Sequence, residues 1–208
     1  MKRGGKIIII ILFSFLLIAY LVFFGIQTVK RNIIWGKPLE FFEEIVKYEK
    51  GSARVLNNIG NIYFNRGNEG KAEEYYWKAV EIGDIFPQPH HNLGSILQAR
   101  GDNFGAIQQY EKAIEIDPNF YYPYPNLVSI YANQGNYVKA VEYIEKLKII
   151  RSSDPRVYYN AALIYSAMGD KKKALENLNL GLNHSSYDPE AEKYIKEALS
   201  KLNPQSVR

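Results

Sequence analysis

Small and bulky apolar residues recur along the chain at a constant spacing of 34 positions. Three columns with this spacing are Gly60, Gly94, Val128 and Ala162; Ala72, Ala106, Ala140 and Ala174; and Tyr76, Tyr110, Ile144 and Leu178. A fourth contains Tyr63, Leu97, Tyr131 and Tyr165. A fixed internal period of this length is typical of proteins built from stacked repeats. The pattern predicts four helix hairpins, at residues 53–86, 87–120, 121–154 and 155–188.

The small residues indicate close contact between the two helices of each hairpin. A small side chain on one helix leaves a hole that a bulky side chain on its neighbour fills. Leucine in place of Gly94 would overpack this contact, at a cost of about 1–3 kcal/mol. The third and fourth hairpins depart from the pattern at Val128, Leu147 and Gly181. We expect looser packing there, within the same fold.

A short turn is predicted inside each hairpin. The four turn sequences are RGNEG at 66–70, RGDNF at 100–104, QGNYV at 134–138 and MGDKK at 168–172. Each has glycine directly after a helical run, where a left-handed conformation costs no Cβ clash, followed by Asp or Asn. The Asp or Asn is expected to cap the next helix.

Amphipathic helices are predicted on both sides of the repeats. In residues 38–50, Phe42 and Ile45 lie 34 positions before Tyr76 and Ala79. This register predicts a lone helix, equivalent to the second helix of a hairpin, that covers the open end of the first hairpin. Residues 188–202 form the other candidate cap, because stacked repeats need their end faces covered. Its apolar face would contain Ala191, Tyr194, Ile195, Ala198 and Leu202. Residues 203–208 are expected to fray.

A long apolar segment precedes the repeats. Residues 7–26 contain no charged residue, and twenty helical residues span about 30 Å, the hydrocarbon thickness of a bilayer. A cleaved signal peptide is the alternative, but the segment is longer than most and lacks a small-x-small cleavage site. The prediction is therefore a basic tail at 1–6, an uncleaved membrane anchor at 7–28, and a juxtamembrane segment at 29–52.

The charge distribution argues against nucleic-acid binding. The net charge is +4, but six basic and no acidic residues lie in 1–37. Residues 38–208 therefore hold 20 basic and 22 acidic residues, a net charge of −2. The basic footprint that nucleic acid requires is missing from the repeats. The chain has no cysteine, which excludes disulfides and thiolate metal sites.

No grouping of residues suggests catalysis, a metal site or a cofactor. The only histidines are His90, His91 and His184. His90 and His91 are adjacent and would point in different directions on a helix, so they cannot share a metal. His90 occupies a packing position and is interpreted as a core or interface histidine. The chain is expected not to be an enzyme.

The 34-residue columns resemble the tetratricopeptide repeat (TPR) family. Small residues at the eighth, twentieth and twenty-seventh positions, aromatic residues at the eleventh and twenty-fourth, and Pro118 near the thirty-second carry this resemblance. It implies an all-α fold, a right-handed superhelical solenoid of helix-turn-helix repeats, here preceded by one transmembrane helix. The first helix of each repeat would line a concave groove.

Asparagine occupies the sixth position of all four predicted repeats, at Asn58, Asn92, Asn126 and Asn160. Such a ladder could exchange hydrogen bonds with the backbone of an extended peptide, as the family resemblance also implies. The alternative is that asparagine is simply favoured there, whatever the repeat binds. The candidate peptide-binding residues are these four with Asn57, Asn61, His91, Ser95, Gln98, Tyr122, Arg156 and Tyr159. Asn57, Tyr122 and Asn126 stand where chaperone-tail binders of the family carry basic residues, which argues against chaperone C-termini as ligands.

A second resemblance concerns the junction at 30–63, which is similar to the last span and TPR tail of protein O-mannosyltransferase-like membrane proteins. Arg31, Asn32 and Trp35 match that junction, although aromatic residues also collect at membrane interfaces in general. The resemblance favours repeats on the extracytoplasmic side. The leading hypothesis is a single-pass scaffold or assembly factor that binds a protein segment; an accessory subunit of a glycosyltransferase or envelope-assembly enzyme, and homo-oligomerisation, are the alternatives.

Overall fold

The computed structural model describes residues 16–17, 19–26, 37–48, 52–83 and 85–202. The predicted basic tail, most of the predicted membrane anchor, the junction residues Arg31, Asn32 and Trp35, and the C-terminal residues 203–208 lie outside these ranges. Residues 19–26 are helical, and their large apolar side chains are exposed. No helix within the described residues has both the length and the apolar character needed to cross a membrane.

The remaining described residues form a succession of helices, and no strand occurs among them. Their bounds are α1 Pro38–Tyr48, α2 Ala53–Asn65, α3 Glu69–Ile82, α4 Pro87–Ala99, α5 Asn103–Ile116, α6 Pro123–Asn133, α7 Tyr137–Ile150, α8 Pro155–Ala167, α9 Lys171–His184 and α10 Pro189–Leu202. The chain divides into two compact units, residues 1–75 and 76–208.

In the unit 1–75, α1 packs against α2. The hydroxyl of Tyr63 on α2 donates a hydrogen bond to Glu43 Oε1 on α1 at 3.3 Å. Tyr63 also stacks on Tyr75, with ring centroids 5.5 Å apart. The helix predicted at 38–50 is therefore observed over Pro38–Tyr48, and it lies against the first hairpin's opening helix.

In the unit 76–208, consecutive helices pair as hairpins: α4 with α5, α6 with α7, and α8 with α9. Neighbouring hairpins also contact each other, through α5 with α6 and α7 with α8. A core cluster from α5 to α8 fills the middle of this unit. Its fully buried members are Ala106, Tyr110, Leu127, Ala140, Ile144 and Ala161.

The C-terminal helix covers the last hairpin as predicted. Ala191 and Ile195 on α10 are completely buried and join a cluster with Ala162, Tyr165, Ala174 and Leu178. Tyr194, Ala198 and Leu202 pack on the edge of this cluster. The five residues of the predicted apolar face thus all contact the last hairpin's core.

The turns within the hairpins follow the predicted chemistry. Gly67, Gly101, Gly135 and Gly169 all have positive φ, between 72° and 84°. The next residue in each turn caps the following helix: Asn68, Asp102, Asn136 and Asp170 accept from the backbone N–H three residues later, at 2.9–3.2 Å. A repeated 34-residue local signal therefore produces the same turn four times.

Packing in the third and fourth hairpins is not looser at the positions where the sequence departs. Val128 and Leu147 are only 6% and 2% exposed. A Cβ atom at Gly181 would lie 3.2 Å from the backbone oxygen of Pro155 and from Ile195 Cδ1. The expectation of looser packing is therefore wrong at Gly181, because α10 and the start of α8 close over the position where an alanine methyl group would otherwise sit.

Candidate functional site

Four rings come together where α4 faces the segment before α6. We call His91, Phe120, Tyr121 and Tyr122 the aromatic cluster. The His91 ring lies 5.8 Å from the rings of both Phe120 and Tyr122. Phe120 and Tyr122 are 5.1 Å apart, and Tyr121 stacks on Tyr122 at 4.1 Å. Tyr122 is 50% exposed, so the cluster is open to a ligand.

The loop that carries three of these rings is held by its own backbone. The carboxylate of Asp117 accepts from the N–H of Asn119 at 2.9 Å, and its carbonyl accepts from the N–H of Phe120 at 3.0 Å. The buried Tyr124 donates its hydroxyl to the carbonyl of Pro118 at 2.8 Å. Pro123 then begins α6 at a position that needs no N–H. These contacts hold the backbone of the loop at both ends.

The Gly94–Tyr110 contact supports the cluster from behind. A Cβ atom at position 94 would lie 2.7 Å from Tyr110 Cε1, so only glycine allows the ring to approach α4 this closely. The Tyr110 hydroxyl donates to Gln98 Oε1 at 2.8 Å and lies 3.3 Å from Ser95 Oγ. Its ring lies 5.7 Å from His91. Ser95 and Gln98, predicted as ligand-facing, therefore hold the tyrosine that supports His91.

The cluster carries no net charge near neutral pH. Burial lowers the pKa of His91 to about 4, so its imidazole is neutral. The Nδ1 atom of His91 is buried and has no hydrogen-bond partner among the described residues. A hydrogen bond with Tyr121 is the main reason that the pKa of Tyr122 is raised. The guanidinium of Arg151 lies 4.5 Å above the Tyr121 ring, and it is paired with Asp154 at 3.3 Å.

The asparagine ladder falls on both compact units. In the unit 76–208, Asn92 and Asn126 are half-buried and Asn160 is exposed. The Asn126 side-chain nitrogen donates to the Tyr122 carbonyl at 3.4 Å, which ties this asparagine to the aromatic cluster. In the unit 1–75, Asn58 and Asn61 are half-buried, and Asn57 is only 8% exposed. Asn57 thus offers little of its side chain to a ligand.

Tyr159 and Arg156 are both on α8 but face different surroundings. The Tyr159 ring lies 4.5 Å from Tyr194 of α10, and the two line a cavity of about 280 Å³ with Leu163 and Leu202. Arg156 instead binds Asp154 through two hydrogen bonds, Nε to Oδ1 at 2.9 Å and a terminal nitrogen to Oδ2 at 3.0 Å. The structure does not bring Arg156 to the cavity, and its charge is already paired.

Sequence reasoning missed Phe120, Tyr121 and Arg151. The aromatic run FYYPY at 120–124 is the signal that could have identified the first two. The interpretation of His90 is confirmed: it is 4% exposed, and its Nδ1 lies 2.7 Å from Gln109 Oε1 within the same hairpin. Within the described ranges, no three His, Asp or Glu side chains are grouped to hold a metal ion.

Family comparisons fit this geometry. Models described as tetratricopeptide repeat match residues 53–83 and 155–183, and one described as TPR repeat matches residues 94–135. The chain carries tetratricopeptide repeats. The three matched segments contain the whole of α2, α3, α5, α6 and α8, with the turns at 66–70, 100–104 and 168–172. Comparison with curated proteins gave no significant match.

Solved TPR structures share the fold. The crystal structure of MamA aligns with a TM-score of 0.64 at 22% identity, over 73% of this chain and 89% of that one. YrrB, described as a TPR protein with an unusual peptide-binding site, aligns at 0.61 and 19% identity, over 86% and 90%. TTC0263, a TPR protein of Thermus thermophilus, aligns at 0.58 and 16% identity, over 83% and 96%. At these identities, the comparison shows the fold.

Proposed function

We propose that this protein is a non-enzymatic, membrane-anchored scaffold or assembly factor whose TPR domain binds an extended segment of a partner protein. The observation that carries the proposal is the open aromatic cluster tied to Asn126. Tyrosine is a favoured binding residue because it buries a large area and loses little conformational entropy. Asn126 adds backbone-type hydrogen bonding beside it. The peptide-binding site described for YrrB, which shares this fold, supports the same use of the domain.

The N-terminal helical segment supports the anchor. Leu21, Val22 and Phe23 are each more than half exposed, and Phe24 and Ile26 are about half exposed. Exposed apolar side chains at consecutive positions surround the helix, and a helix that is apolar all round is suited to lipid. The apolar run at 7–26 has the length of a bilayer span.

Binding to an array of unrelated twelve-residue peptides would test segment recognition, with the full chain in mild detergent. The double variant Asn92→Ala/Asn126→Ala should lower the affinity for the bound peptides about tenfold, which corresponds to about 1.4 kcal/mol of binding free energy. Asn179→Ala is the matched control, because Asn179 makes the same kind of bond, to the carbonyl of Leu175 at 2.9 Å, on the second helix of a hairpin. Unchanged affinities in the double variant would contradict the ladder mechanism.

The side of the membrane on which the repeats lie needs a separate experiment. We propose that the repeats lie outside the cytoplasm. A protease-accessible tag fused after residue 208 should be cleaved from the outer face of intact cells or spheroplasts. Cleavage only after lysis would contradict this topology, and recovery of the chain without membranes would contradict the anchor.

A further inference from the structure

We propose that the aromatic cluster recognises an uncharged, proline-rich segment in the polyproline II conformation. This inference rests on the proposed function and names the class of segment that the site takes. It is carried by three properties of the described residues: the arrangement of rings, the unused hydrogen-bond donors beside them, and the neutral charge.

The rings form an apolar platform. Tyr121 and Tyr122 are stacked at 4.1 Å with an interplanar angle of 25°, and Phe120 is tilted by 47° against Tyr122. His91 closes the far side, with its ring nearly perpendicular to that of Phe120. The pyrrolidine rings of proline dock in aromatic-lined grooves, and the polyproline II helix is preformed, so little entropy is lost on binding.

The free polar groups beside the platform are donors. The hydroxyls of Tyr121 and Tyr122 interact with each other, and each can donate one hydrogen bond. Asn126 uses one side-chain N–H on the Tyr122 carbonyl and keeps its second. A proline-rich segment lacks backbone N–H groups and presents carbonyl acceptors. The donors therefore match what such a segment offers.

The uncharged rings of the platform favour an uncharged segment. His91 is neutral because burial lowers its pKa, and Arg151 is bound by Asp154. An acidic segment would have to compete with Asp154 for the guanidinium of Arg151, and a basic segment would find no carboxylate among the four rings. An uncharged segment loses no hydration of ions when it docks on this surface.

Decaproline is the probe, with a Gly-Ser peptide of ten residues for comparison. Fluorescently labelled decaproline should bind the full chain in detergent with a Kd on the order of 100 µM, whereas the Gly-Ser peptide should not saturate. Tyr122→Ala should weaken decaproline binding about tenfold or more, because it removes the exposed ring of the platform. Tyr122→Phe keeps the ring and should weaken it only about twofold to threefold.

Tyr187→Ala is the matched control, because Tyr187 is completely exposed and lies outside the cluster. It should leave the Kd unchanged, and the Tyr122 variants should keep the wild-type circular dichroism spectrum. The inference would be overturned if decaproline failed to bind or if Tyr187→Ala lost as much affinity as Tyr122→Ala. Saturable binding of the oligosaccharide chitohexaose in place of decaproline would also overturn it. If other array peptides still bind through Asn92 and Asn126, the proposed function survives that failure; if none binds, both fail.

Discussion

The second and third hairpins occupy equivalent places in the 34-residue period but fill the space between their helices differently. In the second hairpin, Gly94 accepts the full ring of Tyr110, which is completely buried. In the third, Val128 and Ile144 stand at the same positions and are 6% and 0% exposed. In the second hairpin the side-chain volume at this contact comes from one residue, whereas in the third hairpin it comes from two.

This difference teaches that the space between the two helices can be filled by one large side chain or by two smaller ones. The fourth hairpin gives a further solution, with Ala162 and Leu178 in one buried cluster. Native interiors tolerate such exchanges when the total volume fits. The large Tyr110 ring also has a functional consequence, because it supports His91 of the aromatic cluster.

Tyrosine–glutamate hydrogen bonds join successive hairpins. Tyr131 and Tyr165 donate to the glutamate twenty residues earlier, Glu111 and Glu145, at 3.5 and 3.2 Å. Tyr63 makes the same bond to Glu43 in the unit 1–75, so α1 serves as the second helix of an incomplete repeat. At the equivalent positions of α4 and α3, Leu97 and Trp77 replace this tyrosine–glutamate pair.

Exchanging the buried pair should give the largest effect. Gly94→Val, which copies the third hairpin, should destabilise the chain by about 2–3 kcal/mol because the new side chain meets the Tyr110 ring. Adding Tyr110→Ile should recover part of that loss, with a coupling of about 1 kcal/mol or more in a double-mutant cycle of chemical unfolding. If the effects of the two substitutions on the free energy of unfolding were strictly additive, the two side chains would not fill the same space.

Acid should affect the second hairpin through His91. Its pKa is about 4 in the folded chain and 6.5 as a free side chain, so the unfolded chain binds more protons between these values. Stability should therefore be full above pH 6.5 and fall as the pH drops towards 4. By pH 5, the free energy of unfolding should fall by about 1–2 kcal/mol more in the wild type than in His91→Phe. Equal pH profiles of chemical unfolding would contradict the buried neutral imidazole.

The turns should respond equally in the two hairpins and show the smallest effect. Gly101 and Gly135 have φ of +84° and +72°, so alanine at either position should cost about 1 kcal/mol. Gly70→Ala is the control, since Gly70 lies in α3 with ordinary φ and open space around its missing Cβ, and it should be neutral or slightly stabilising. Thermal unfolding of the three variants would show whether the turns are in fact equivalent.

The local and periodic features of the fold could be predicted from the sequence because they depend on residues that act through short-range geometry. Glycine followed by Asp or Asn specifies a turn by itself, and the apolar face of α10 is visible in its spacing. The packing around Gly181 could not be predicted, since it depends on how α8 and α10 converge. A period describes equivalence between repeats, but it does not show what covers the last one.

The candidate site was predictable only in part. His91, Tyr122 and Asn126 were identified as groove residues, and the structure brings these three together. Ser95, Gln98 and Arg156 share the polar character that suggested ligand binding, but each is engaged by a neighbour within the fold. A polar residue at a groove position can serve either the ligand or the scaffold, and only the position of Tyr110 or Asp154 distinguishes the two.

Photocrosslinking from position 129 in membranes of the source cells tests the central claim most directly. A benzoylphenylalanine residue at position 129 of the full chain, where Ser129 is exposed on α6 near Asn126, is compared with one at position 108, where Gln108 is exposed on α5. A membrane-bound adduct with a partner protein is expected from position 129, lost in the Tyr122→Ala background, and none is expected from position 108. Equal adducts from both positions, or a chain recovered outside the membrane fraction, would contradict it.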